Sequence, residues 1–316
     1  MIDLAAIRTA SERIQPYVAR TPTIGSRSLS EKLGTRASLK VEAFQRTGSF
    51  KPRGAISQLL GLSDEQRARG VVGFSGGNFA QGLAYAGQQL GVATTVVMPE
   101  GTPSNYVDAT RGYGAKIEMT PSISQAISRV DELSSQGLAA VHPFDNIDMI
   151  HGNGSVGLEL VADAPDVTDV VVSIGGGGFI AGVAAAVKGL VPKARVWGVE
   201  TEGAAAMSLA LAAGKPVTIE PTSIAKTLAA PWVSELTLAA TRHYVEGVTV
   251  VSDAAAVSAL EYILERTKIL TEPASSCTVA AAEELAPRFG EHVVIVLCGG
   301  NVSLADLVRW RALDES

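Results

Sequence analysis

The sequence predicts an α/β protein whose open, mostly parallel sheets are divided between two lobes. Short Val-rich runs alternate with longer stretches of helical periodicity along the chain. That is the pattern of parallel strands covered by helices on both faces. The length, 316 residues with 47% apolar and only 18% charged, suits a large core and is long for one domain. Glycines gather where several of the strands end, which is where ligands sit in such folds.

The expected strands fall at 38–42, 71–74, 94–98, 116–119, 139–141, 168–174, 195–199, 248–251 and 293–297. Helical patterns cover 78–90, 122–136, 179–190, 253–268 and 275–289. Gly91 stands just past the first of these, where a glycine ends a helix. Asp253 reads as the N-cap of another. Residues 170–187 run 18 positions without a charge, near the lower limit for a membrane span. Four glycines interrupt that run, and Asp169 and Lys188 close it, so a buried strand, a turn and a packed helix account for it better. Asp3 and Glu12 break up the start of the chain, so no secretory signal is expected.

Composition excludes several classes. A net charge of −6 gives no basic surface for nucleic acid. The two cysteines, Cys277 and Cys298, form no Cys-x-x-Cys pair and fit a reducing cytoplasm. The four histidines form no ligand cluster, so no metal is expected.

Four strand ends carry chemistry. The first is the loop Gly175, Gly176, Gly177, Gly178 followed by Phe179. A glycine turn opening a helix offers N–H groups and a positive dipole end to a phosphate. Gly176, Gly178 and Ala181, with Glu200 at the next strand end, also satisfy the dinucleotide pattern. A nicotinamide cofactor therefore competes with a smaller one bearing a single phosphate. The second is Ser75–Gly76–Gly77–Asn78. Gly73, Ser75 and Gly77 match the elbow of a hydrolase nucleophile. The alternative is a carboxylate gripped at a helix start. The third is Lys51, next to Phe50 and ahead of Pro52, a residue favoured in a first helical turn. A positive helix end lowers the pKa of an ammonium, and a neutral lysine attacks carbonyls. The fourth is Cys298, which ends a buried strand before Gly299, Gly300 and Asn301. It is either a small core hydrophobe or a weak donor to a ligand.

Taken together and in this order, the strings ARTP, LKVEAFQRTGSFKPRGA, SGGNFAQGLA, VHPFD, SIGGGG, TEPAS and LCGGN resemble the threonine dehydratase and serine racemase family. These are pyridoxal-phosphate (PLP) enzymes of the fold type shared with tryptophan synthase β. The resemblance runs nearly end to end. It implies a large cofactor-binding domain of residues 1–69 and 147–316, a small mobile domain of residues 70–146, and PLP in the cleft between them. It further implies that Lys51 carries the cofactor as a Schiff base and removes the α-proton of the substrate. Phe50 would flank the ring and Asn78 would bond its 3′ oxygen. Gly175 to Gly178 and the Phe179 N–H would hold the phosphate. Ser75, Gly76, Gly77, Asn78 and Phe79 would receive the substrate carboxylate. Cys298 would stand at the pyridine nitrogen, where a neutral thiol makes a weaker electron sink than an acid would. The implied reaction converts a small β-hydroxy amino acid, L-threonine or L-serine first, to a 2-oxo acid and ammonia. A homodimer is likewise implied.

Departures from the family pattern sharpen this. Racemases carry a serine where this chain has Gly76, which cannot give a proton to the second face of the α-carbon. Phe144 in HPFD also follows the dehydratases. Phe79 replaces a histidine, making the site wall more apolar. Lys226 replaces an acid, which would favour an acidic substrate such as a hydroxyaspartate if it faces the site. Ala206 stands where some members have a metal-binding aspartate, so no magnesium is expected beside Glu200.

Overall fold

A computed structural model describes residues 2–314. The strands are β1 (Thr23–Gly25), β2 (Arg36–Val41), β3 (Val71–Phe74), β4 (Thr94–Pro99), β5 (Lys116–Thr120), β6 (Ala139–Ala140), β7 (Asp169–Ser173), β8 (Arg195–Thr201), β9 (Gly247–Val251) and β10 (His292–Leu297). They form two sheets. One has six strands in the order β1-β2-β10-β7-β8-β9, and the other has four in the order β5-β4-β3-β6. All pairings are parallel except β1 with β2. The short β1 is absent from the sequence-based strands, since three half-exposed residues carry no periodicity.

Every residue of β7 and β10 is buried, which explains their continuous Val and Ile runs. The stretch 170–187 becomes β7, the glycine turn and helix Gly178–Leu190. Among the described residues no helix is long and apolar enough to cross a membrane. The expected cap at Asp253 is corrected: Ser252 caps that helix by accepting the Ala255 N–H. The Asp253 carboxylate instead accepts from the Ser223 hydroxyl and the Ile224 N–H, tying the helix to the preceding loop.

Helix Ile147–Asp163 packs against helices Lys51–Gly61 and Gly178–Leu190. Glycines allow the close approach. A Cβ on Gly182 would lie 2.2 Å from the Ile150 carbonyl oxygen, and one on Gly152 would lie 2.4 Å from that of Arg53. Under this crossing Arg53 is completely buried and bonds Glu42, Glu159 and Ser155. Lys40 adds a 2.7 Å bond to Glu159. This network anchors the helix that begins at Lys51.

Candidate active site

Four strand ends meet in one cleft. Ser49 bridges to Gly299, and the Phe50 N–H donates to the Cys298 carbonyl at 3.1 Å. Lys51, the first residue of its helix, is thereby pinned beside the end of β10. A small cavity of about 40 Å³ opens in this cleft. Its walls include Phe50, Lys51, Asn78, Gly175 to Gly178, Phe179 and Cys298.

Among the described residues the Lys51 ammonium has one hydrogen bond, a long 3.4 Å contact to the Pro143 carbonyl. It lies 5.0 Å from the centre of the Phe50 ring and 5.6 Å from that of Phe79. Burial lowers its pKa to about 8, against the pull of Cys298 and Glu272. Desolvation, more than the helix end invoked from sequence, is thus the leading cause. The amine is neutral at mildly alkaline pH and can act as a nucleophile or a base.

Cys298 is buried, and its pKa is pushed up to about 12 by burial and by Glu272. It stays a neutral thiol at physiological pH, with Ser173 and Ser275 as polar neighbours. Asn78 begins helix Asn78–Leu90 and is also buried. Its Oδ1 accepts from Asn301 Nδ2 at 2.8 Å, and its own Nδ2 donates to Glu272 Oε1 at 2.6 Å.

In the glycine loop, Gly177 has φ +89° and caps helix Gly178–Leu190. The sequence argument assigned all four glycines to ligand approach, yet packing also requires them. A Cβ on Gly176 would fall 2.2 Å from the Phe144 ring, and one on Gly178 would fall 2.6 Å from the Phe144 carbonyl. Among the described residues, none accepts the N–H groups of Gly175, Gly176 or Gly177. These and the first helical N–H groups remain for an anion. Phe50 stacks on Phe179, with ring centres 3.8 Å apart.

Ser75, Gly76 and Gly77 are half-buried at the end of β3. The Ser75 Oγ accepts the Gly77 N–H at 3.0 Å, so its partner is backbone, which suits an anion-binding turn better than a nucleophile elbow. The Phe79 side chain is buried with Leu83 and Val141 in the core beneath β3. Its ring lies 5.6 Å from the Lys51 amine and gives that side of the site an apolar neighbour.

Glu200 is accounted for without cofactor or metal. Its carboxylate accepts the Met207 and Ser208 N–H groups and the Ser208 hydroxyl, capping helix Ala206–Ala213. That leaves the dinucleotide pattern without a ribose partner. Lys226 is exposed and lines an adjoining cavity of about 280 Å³ with Gly76, Tyr106 and Glu272.

Sequence reasoning missed Glu272. It lies inside the TEPAS string and joins Asn78, Thr227 and Cys298 in the cleft. A carboxylate directly before a proline at a helix start was the available signal.

The sequence matches the family described as pyridoxal-phosphate dependent enzyme over residues 14–299. The chain belongs to this family. Among its relatives, an L-threonine ammonia-lyase of Thermotoga maritima is 38% identical over 310 residues, 96% of this chain and 77% of that protein. An L-threo-3-hydroxyaspartate ammonia-lyase of Saccharomyces cerevisiae is 37% identical over 96% of this chain and 94% of its own length. The structure of maize serine racemase superposes with a TM-score of 0.93 and 34% identity, covering 99% of this chain and 98% of that one.

The cleft fits the cofactor of the family. The unclaimed N–H groups of the glycine loop suit a phosphate, the underpaired Lys51 amine suits an aldehyde, and the neutral Cys298 thiol suits an unprotonated ring nitrogen.

Proposed function

We propose that this PLP enzyme is an ammonia-lyase acting on a small β-hydroxy amino acid, L-threonine or L-serine first, and releasing a 2-oxo acid and ammonia. The observation that carries this reading is the Lys51 amine, buried, weakly bonded and lowered to about pKa 8 in a cleft that ends in a glycine loop. When bound, pyridoxal phosphate supplies an electron sink for the α-carbon of an amino acid.

The residues of the chain do the rest. Gly175 to Gly178 and Phe179 offer N–H groups to the phosphate. Asn78 would offer its amide to the ring oxygen, Phe50 would pack against the ring, and Cys298 would stay uncharged beside the ring nitrogen. Ser75, Gly76, Gly77, Asn78 and the Phe79 N–H hold the substrate carboxylate at a helix start. Lys51, once neutral, takes the α-proton at Nζ. Gly76 offers no acid on the opposite face, which favours elimination over racemisation. Residues 70–146 act as the smaller lobe, closing on substrate against residues 1–69 and 147–316 to exclude water. The protein works as a cytoplasmic homodimer.

Holoprotein supplied with L-threonine or L-serine should form 2-oxo acid and ammonia in equal amounts. Failure across a panel of β-hydroxy amino acids would overturn the reading. A second reading, a hydroxyaspartate substrate, rests on Lys226, whose ammonium has no partner among the described residues and shares a cavity with Gly76. It requires 3-hydroxyaspartate to outperform threonine in kcat/KM, and Lys226→Ala to remove that advantage.

A further inference from the structure

Glu272 occupies an unusual position. It has the extended backbone of an N-cap residue, φ −105° and ψ 161°, ahead of Pro273. Its side chain makes no cap bond. It turns instead into the cleft, 2% exposed, where Oε1 accepts from Asn78 Nδ2 at 2.6 Å and from Thr227 Oγ1 at 2.9 Å. Oε2 is buried with no partner of hydrogen-bond geometry, although the Asn301 N–H and the Tyr106 hydroxyl lie near the carboxylate and partly offset its burial. Gly299 makes room for this arrangement, since a Cβ there would lie 2.9 Å from Oε1 and 3.1 Å from Asn78 Nδ2. A buried carboxylate oxygen left without a donor is costly unless it serves something else or carries a proton.

The Asn78 amide shows what is served. Its oxygen is engaged by Asn301, itself held by a 2.8 Å bond to the Thr47 carbonyl. One Nδ2 hydrogen goes to Glu272. This fixes which end of the amide is nitrogen and leaves its second hydrogen for the cleft that Asn78 lines. Resting on the PLP reading above, we infer that Glu272 is a positioning residue: it fixes the Asn78 amide through Oε1 and holds an exchangeable proton on Oε2 within the cleft it shares with Lys51.

Burial raises the pKa of Glu272 to about 7, so that proton comes and goes near neutrality. The titratable groups that face it are Lys51, the Cys298 thiol, the Tyr106 hydroxyl and, from its own helix, Cys277. Lys226, Asp306 and Arg309 share the cavity on its other side. Thiols and phenol are raised above their ordinary values and stay neutral here, and Lys51, lowered to about 8, no longer titrates as a free amine once it carries the cofactor, which leaves Glu272 titrating near pH 7 in the holoprotein.

The test compares native holoprotein with Glu272→Gln and Glu272→Ala. The readouts are PLP retention in dialysis, the visible absorption of the resting protein from pH 6 to 8, and kcat and KM over the same range. Gln accepts both bonds through Oε1 but cannot titrate. It should keep PLP retention near native while flattening the pH dependence of both spectrum and kcat. Ala should weaken PLP retention by about tenfold, the scale of one lost hydrogen bond to a charged partner, and lower kcat more than it changes KM. A Gln variant that titrates as the native protein does would overturn the proton-holding role. An Ala variant with native retention and kcat would overturn the positioning role, and if Ala does not fold, a Gln variant that loses PLP would do the same. Native protein that binds no PLP would instead overturn the functional reading itself, and this inference with it.

Discussion

Lys51 and Arg53 are two residues apart in one helix, and they live in opposite electrostatic worlds. Arg53 is wholly buried yet saturated: Glu42, Glu159, Ser155 and the Ala19 carbonyl take its donors, and its pKa is raised. Lys51 has a single 3.4 Å bond and a pKa lowered to about 8. A buried cation with all its partners is architecture, because losing any partner strands a charge. A buried cation left short of partners is ready to give up its proton, which is what nucleophilic and base chemistry need.

Exchanging the two roles should break the contrast most visibly. Lys51→Ala should abolish turnover of every amino acid, by more than about a thousandfold, because the base and the anchoring amine vanish together. Its melting temperature should stay within a few degrees of native, since no ion pair is lost. An active Lys51→Ala protein would contradict the assignment. Arg53→Ala should do the reverse at first order. Stranding Glu42 and Glu159 should cost about 3–5 kcal/mol of stability in urea unfolding. A loss below 1 kcal/mol would mean that water replaces the network.

Smaller effects sharpen the same comparison within the cleft. Asn78→Ala should weaken cofactor retention by about tenfold, the value of one hydrogen bond to a charged group. Gly176→Ala pushes a methyl into the Phe144 ring and should cost about 1–3 kcal/mol, recovered in part by Phe144→Ala. Failure of that rescue would assign the glycine to the ligand rather than to packing. Finally, capture of pyridoxal phosphate by the apoprotein should quicken as pH rises, half-maximally near the Lys51 value of about 8. Below that pH the amine is protonated and inert; above it the neutral form dominates, giving about tenfold between pH 7 and 9. A rate that keeps climbing about tenfold per pH unit from pH 7 to 10 without levelling would place Lys51 in an ordinary solvated setting.

Much of this was legible in the sequence because its signals are local. Strands β7 and β10 read as continuous apolar runs because both their faces are covered. The glycine loop, Lys51 before Pro52 and Cys298 before two glycines each sit at a strand or helix end, where short patterns carry meaning. What escaped was non-local. Glu272 meets Asn78 across 194 positions, and Arg53 meets Glu159 across 106. No periodicity marks which buried acid will find a base and which will be left with an empty oxygen. The place of Phe79 in the motif is local, but the core under β3 decides which way its ring turns. Asp253 was misplaced by a single residue because Ser252 and Asp253 are both good caps, and the loop at Ser223 claims the aspartate.

The account stands most directly on borohydride reduction of the holoprotein followed by peptide mapping. It predicts that the visible band disappears and that one phosphopyridoxyl group per chain is recovered on the peptide containing Lys51. Recovery on another lysine, or a colourless protein that takes up no pyridoxal phosphate, would contradict it.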